Sequence, residues 1–134
     1  MGRCAGKIVV VTGAARGQGA AGAAALAEAG ATVIATDVLP PAEPTPPGGV
    51  VFRALDVTSP DGWAALAAEV GDVYGRVDGL VSNAGIASRD RLPDVPLDAW
   101  HRALDVNATG PLLGIQALAP LMAPGSSRSR STAA

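Results

Sequence analysis

Ile8-Val9-Val10-Val11-Thr12-Gly13-Ala14-Ala15-Arg16-Gly17-Gln18-Gly19 decides the fold of this chain. The continuous β-branched run over Lys7 to Thr12 predicts a strand covered on both faces. The three spaced glycines end it and open an Ala-rich helix, Gly17 to Ala29, closed by Gly30. Gly13 permits a tight turn, Gly17 lets backbone approach a pyrophosphate, and Gly19 lets the helix pack without a Cβ in the way. The helix N-terminus adds unpaired N–H groups and the positive end of its dipole, so the turn is an anion site by backbone geometry alone. A second short strand, Thr32 to Thr36, leads to Asp37, 18 residues beyond Gly19. That spacing fits a carboxylate on the ribose hydroxyls of a dinucleotide. Asp37 would repel a 2′-phosphate, which favours NAD over NADP; Arg16 could hold such a phosphate or stand as a solvated cation.

Outward from this unit, strands alternate with helices. Val50 to Leu55 is a third strand. The Pro-rich stretch Leu39 to Gly49 before it cannot hold a regular helix and reads as an exposed connection. Ser59-Pro60 caps a helix carrying Trp63, Leu66, Ala67, Val70 and Tyr74 at helical spacing, and Gly75 ends it. Val77 to Ser82 is the fourth strand, and Leu97 to Met122 a long helical pattern with a kink expected at Pro111. This order predicts an α/β doubly wound parallel sheet (Rossmann fold) with right-handed crossovers, binding ligand at the carboxyl ends of its strands.

With 134 residues, 49% of them hydrophobic, the chain is the size of one domain. A net charge of −2 offers no basic field for nucleic acid or anionic lipid. The single Cys4 excludes an internal disulfide framework and, with no signal-peptide pattern, leads to the expectation of a cytoplasmic protein. Apolar runs fall far short of the roughly 20 residues that span a bilayer. His101, the lone histidine, reads as a solvated helix residue, and no metal site is expected.

The motif Thr12-Gly13-Ala14-Ala15-Arg16-Gly17-Gln18-Gly19 resembles the Thr-Gly-x-x-x-Gly-x-Gly loop of the classical short-chain dehydrogenases/reductases. Three further motifs are similar in register: Leu55-Asp56-Val57 to the family's adenine-contacting aspartate, Asn83-Ala84-Gly85 to its Asn-Ala-Gly, and Asn107 to its helix asparagine that supports a proton-relay water. The resemblance implies a cofactor site of Thr12, Gly13, Arg16, Gly17, Gln18, Gly19, Asp37, Asp56, Val57, Asn83, Ala84 and Gly85, with Asn107 as the one catalytic residue present. It implies hydride transfer between NAD and a small-molecule alcohol or carbonyl. The family's tyrosine, whose free pKa near about 10 needs lowering by a lysine four residues on, has no counterpart here. The only tyrosine, Tyr74, has Asp78 at that spacing, and the only lysine is Lys7. The chain alone is therefore expected to be inactive.

The end of the sequence departs from the family. Residues 1–124 read as an incomplete NAD-binding domain, and Gly125-Ser126-Ser127-Arg128-Ser129-Arg130-Ser131-Thr132-Ala133-Ala134 as a polar tail, disordered or frame-shifted. Alternating Ser and Arg argue against a buried fifth strand, so the sheet is expected to stop after the fourth strand and the long helix, leaving that strand with an unpaired edge. In the resemblance the Leu97–Met122 helix supports a homo-oligomer, with Trp100, Leu104, Leu112 and Leu113 in the core or facing a partner.

Overall fold

The computed structural model describes residues 2–130, and of residues 123–130 the backbone alone. Strand β1 (Ile8–Thr12) is buried along its whole length. It lies between β2 (Thr32–Asp37) and β4 (Val77–Ser82) and pairs with both in parallel. β3 (Val50–Ala54) lies outside β2, and β5 (Met122–Arg130) outside β4, giving the order β3-β2-β1-β4-β5.

Because side chains alternate across a strand, β1 feeds two cores. Ile8 and Val10 enter a cluster with Ile34, Trp63, Leu66, Val70, Leu80 and Leu118. Val9 and Val11 enter the other, with Ala23, Val33 and Ala35. Helix α1 (Gly17–Glu28) supplies Ala23 on the second face. Helix α2 (Pro60–Tyr74) covers the first with Trp63, Leu66 and Val70, as their spacing predicts. Its ends follow the sequence signals: Ser59 Oγ accepts the Gly62 N–H at 3.0 Å, and Gly75 stops the helix at φ 77°. Burying each such valine or leucine contributes about 1.5–3 kcal/mol.

The pattern from Leu97 to Met122 is not one helix. It divides into α3 (Leu97–Leu104), a π-helical turn (Asp105–Thr109), α4 (Gly110–Leu118) and a 3-10 turn (Ala119–Leu121). The break expected at Pro111 falls in the turn before it. Pro111 has no N–H for the Asn107 carbonyl four residues back, and its ring crowds that carbonyl. Widening the turn relieves the clash, and the Gly110 N–H bonds the Asp105 carbonyl, five residues back. α4 then packs closely on α2, where a Cβ at Gly114 would lie 2.8 Å from the Trp63 ring.

The end of the chain corrects two expectations. The backbone of Met122–Arg130 lies along β4 as a fifth strand, so the boundary drawn at residue 124 falls inside an element and the far side of β4 is paired. A parallel ladder needs only backbone N–H and C=O groups. Alternating Ser and Arg exclude only a strand buried on both faces, which the outermost position in the described sheet does not require. Pro124 sits where the register shifts, between the Val77↔Met122 and Gly79↔Ser127 pairs, a position that tolerates a missing N–H. Residues 131–134 of the expected tail lie outside the described residues.

Candidate functional site

The Thr12 hydroxyl ties the end of β1 to the end of β4. Thr12 is buried, and its Oγ1 accepts the backbone N–H groups of Asn83 and Ala84, each at 3.0 Å. The Asn83 side chain returns a bond from Nδ2 to the Gly13 carbonyl at 3.2 Å. The strand order reverses direction between β1 and β4, so these contacts build the floor of the switch-point crevice.

The glycines have different duties there. Gly13 has φ +66°, and a Cβ on it would come within 2.8 Å of Ala84 Cα. A Cβ on Gly19 would lie 2.1 Å from the Gly13 carbonyl oxygen. The close approach permitted by Gly19 is therefore to the loop's own backbone. Gly17 has φ +62° and open space where a side chain would be, a cradle for a backbone-bound anion. The N-cap residue of α1, Arg16, makes no side-chain capping bond, and the first turn holds no acidic residue to repel an anion.

Asp37 ends β2 half-buried. Its Oδ2 accepts the Ala15 N–H at 3.0 Å and its Oδ1 the Leu39 N–H at 3.1 Å. The carboxylate is thereby oriented toward the glycine loop while each oxygen keeps further acceptor capacity. Beyond β3, Asp56 Oδ1 accepts the Thr58 hydroxyl at 2.7 Å and the Thr58 N–H at 2.9 Å. These two bonds, the hydroxyl first, hold Asp56 below the usual carboxylate range, helped by the charge of Arg102 and opposed by slight burial.

These groups meet in one cleft of about 520 Å³, within the size range of small-molecule sites. Of the residues expected from sequence, Gly13, Arg16, Gln18, Asp37, Asp56, Val57, Asn83, Ala84 and Gly85 line it. Thr12 lies beneath as a support, and Gly17 and Gly19 shape the loop. Asn107 is not in the lining; its side chain instead bonds the backbone of Ile86. Sequence reading missed Val38, Leu39, Leu55, Thr58, Ile86, Arg102 and Val106, which also line the cleft. Most are neighbours of motif residues, a signal that was available. Arg102 comes from α3 and had none. Tyr74 packs against the first core and Lys7 is exposed. Among the described residues no cluster of three or more potential metal ligands occurs, and no helix is long and apolar enough to cross a membrane.

Comparison with known proteins bears on the family and the fold. A family model described as enoyl-(acyl carrier protein) reductase matches residues 13–130. The trans-4-hydroxycyclohexanecarboxylate dehydrogenase of Sinomonas cyclohexanicum is 37% identical over 133 residues, covering 90% of this chain and 51% of the relative. A 3-alpha-(or 20-beta)-hydroxysteroid dehydrogenase of Mycobacterium tuberculosis is 38% identical over 121 residues, covering 87% and 46%. The ligand-free aldohexose dehydrogenase of Thermoplasma acidophilum superposes with a TM-score of 0.86 at 30% identity, covering 95% of this chain and 49% of that one. The chain belongs to the short-chain dehydrogenase/reductase family, a family of oxidoreductases. It spans about half the length of the curated relatives it matches.

Proposed function

We propose that this chain binds NAD(H) and contributes the cofactor site of an oxidoreductase acting on a small-molecule alcohol or carbonyl. The observation that carries this reading is the convergence of Gly13, Asp37, Asp56 and Asn83 on one cleft at the switch point. The glycine loop and the α1 N-terminus take the pyrophosphate. Asp37 takes the adenosine ribose hydroxyls, Asp56 and Val57 the adenine, and Asn83-Ala84-Gly85 the wall beside it. Nicotinamide supplies the hydride acceptor when bound. Asn107 serves the proton path through its main-chain carbonyl, to which Pro111 offers no N–H.

Calorimetric titration of the 134-residue chain with NAD and NADP tests this. NAD binding is expected to be the tighter. Asp37→Ala should weaken NAD about 10- to 100-fold, the worth of hydrogen bonds to a charged group, and NADP far less. No NAD binding by the wild-type chain overturns the reading. Unchanged selectivity in Asp37→Ala removes the ribose role. Preferred NADP binding would favour Arg16, which lines the same cleft, as a 2′-phosphate ligand.

These 134 residues alone are expected not to turn over substrate, since neither Tyr74 nor Lys7 has the partner the chemistry needs. Steady NADH-dependent turnover by the purified chain would contradict this. The free thiol of Cys4 supports a reducing, cytoplasmic setting. We propose a second copy of the chain as the partner for the long helical segment, where Leu97, Trp100, Leu104 and Leu112 are 44–68% exposed. A monomer by sedimentation at all concentrations would dismiss it.

A further inference from the structure

We infer that the Pro-rich connection, residues 38–49, is a strap that positions the phosphate-binding loop, and that the Ala42 peptide N–H is its point of attachment. The inference rests on the dinucleotide reading of the cleft and names a positioning residue outside every motif.

The connection joins two parallel strands, a crossover usually made by a helix. Its prolines forbid a helix, and it runs as a loop fixed at both ends and once in the middle. At its start the Leu39 N–H bonds Asp37 Oδ1. At its end the Gly49 carbonyl accepts the Val33 N–H at 2.8 Å, and the Val50 N–H bonds Pro47. Between these anchors the Ala42 N–H donates to the Ala15 carbonyl at 2.8 Å.

Ala15 lies between two glycines with positive φ, Gly13 and Gly17. Such a segment has two permissive hinges, so holding one conformation costs more conformational entropy than elsewhere. Both backbone groups of Ala15 are consumed in holding it: the N–H by Asp37 and the carbonyl by Ala42. The neighbouring Ala14 N–H bonds the Thr36 carbonyl at 2.9 Å. The glycine loop is thus fixed from β2 and from the strap, and a loop already fixed loses less on binding. The strap also walls a second, largely apolar cavity of about 360 Å³ against α1, where Pro41, Ala42 and Pro47 face Ala20 and Ala24. Beside this cavity the Ala42 bond ties the strap directly to the loop backbone.

Ala42→Pro removes the N–H, and Ala42→Gly keeps it. With ADP-ribose as the probe, Ala42→Pro should bind about 3- to 10-fold more weakly, the worth of one ordinary hydrogen bond. Adenosine, which lacks the pyrophosphate, should bind all three forms alike, and Ala42→Gly should stay within about twofold of wild type for ADP-ribose. Equal ADP-ribose binding by Ala42→Pro, or an equal loss in Ala42→Gly, overturns the inference. So does an equal loss of adenosine affinity. Hydrogen exchange on the unmodified chain gives a second reading that needs no variant: the Ala42 amide should exchange far more slowly than that of exposed Glu43, and exchange at the free-peptide rate overturns the attachment. If the wild-type chain binds neither ADP-ribose nor adenosine while Ala42 is protected, the cofactor reading falls and the strap stands only as a structural tie.

Discussion

The side chain of Asn107 and the backbone of Ile86 hold each other by two hydrogen bonds: Nδ2 donates to the Ile86 carbonyl, and Oδ1 accepts the Ile86 N–H, both at 2.8 Å. The pair joins the segment after β4, one wall of the cleft, to the π-helical turn. A primary amide is suited to this because its donor and acceptor match one peptide unit.

Asn107→Ala removes both bonds. Ile86 and Asn107 are exposed, so water takes over the orphaned groups and the cost stays at about 1 kcal/mol in urea denaturation. The local effect is larger than the global one, and amide exchange at Ile86 should speed up markedly. An unchanged exchange rate would show that the pair does not form in solution.

Thr12→Val keeps the shape of a buried side chain and deletes the acceptor for two N–H groups, those of Asn83 and Ala84. A loss of about 2–4 kcal/mol is expected by chemical denaturation. Thr12→Ser should fall within about 1 kcal/mol of wild type, because the hydroxyl remains. Equal losses in the two variants would mean that packing, rather than the hydroxyl, matters at this position.

Two glycines of α1 should respond in opposite directions to alanine. At Gly19 the new Cβ meets the Gly13 carbonyl at 2.1 Å, a backbone atom that cannot swing away, so Gly19→Ala should distort the loop and abolish dinucleotide binding. At Gly22 nothing lies within 4 Å. Gly22→Ala should therefore stabilise the helix by about 0.5–1 kcal/mol. Thermal melts and an NAD titration of both variants check the contrast.

Asp56 titrates below its ordinary value because Thr58 bonds the ionised form. A carboxylate with a depressed folded-state pKa lends stability that is complete above the unfolded value, about 3.9. That stability is lost as pH falls through the folded value. The contribution is small at this exposed position. Thr58→Val takes away the larger of the two Thr58 bonds and should move the Asp56 titration upward, read by carboxyl carbon NMR. A titration that does not move would refute the assigned cause.

Local signals carried the architecture a long way. The Ile8–Val11 run, the Ser59-Pro60 cap and the Gly75 stop each act within a few residues, and each marks its element in the sequence as in the fold. The glycine spacing and Asp37 likewise locate the cleft before any coordinates. What stayed hidden depends on partners far along the chain. Arg102 reaches the cleft from α3, 46 residues beyond the Asp56 it faces there, and periodicity says nothing of such a meeting. The π-helical turn answers a clash between Pro111 and Asn107 whose remedy, a kink or a wider turn, depends on the surroundings. β5 was missed because side-chain character was taken to decide a pairing made by backbone groups.

The central place of β1 also sets a timetable. Val9 faces Val33, 24 residues on, and Gly79, 70 residues on. The longer loop costs about 1 kcal/mol more to close, and during synthesis its far end emerges last. On these grounds β1, β2 and β3 are expected to assemble first, before β4 arrives to complete the crevice. The half-sheet must then keep one flank of β1 from pairing with a stranger while the ribosome supplies its proper neighbour.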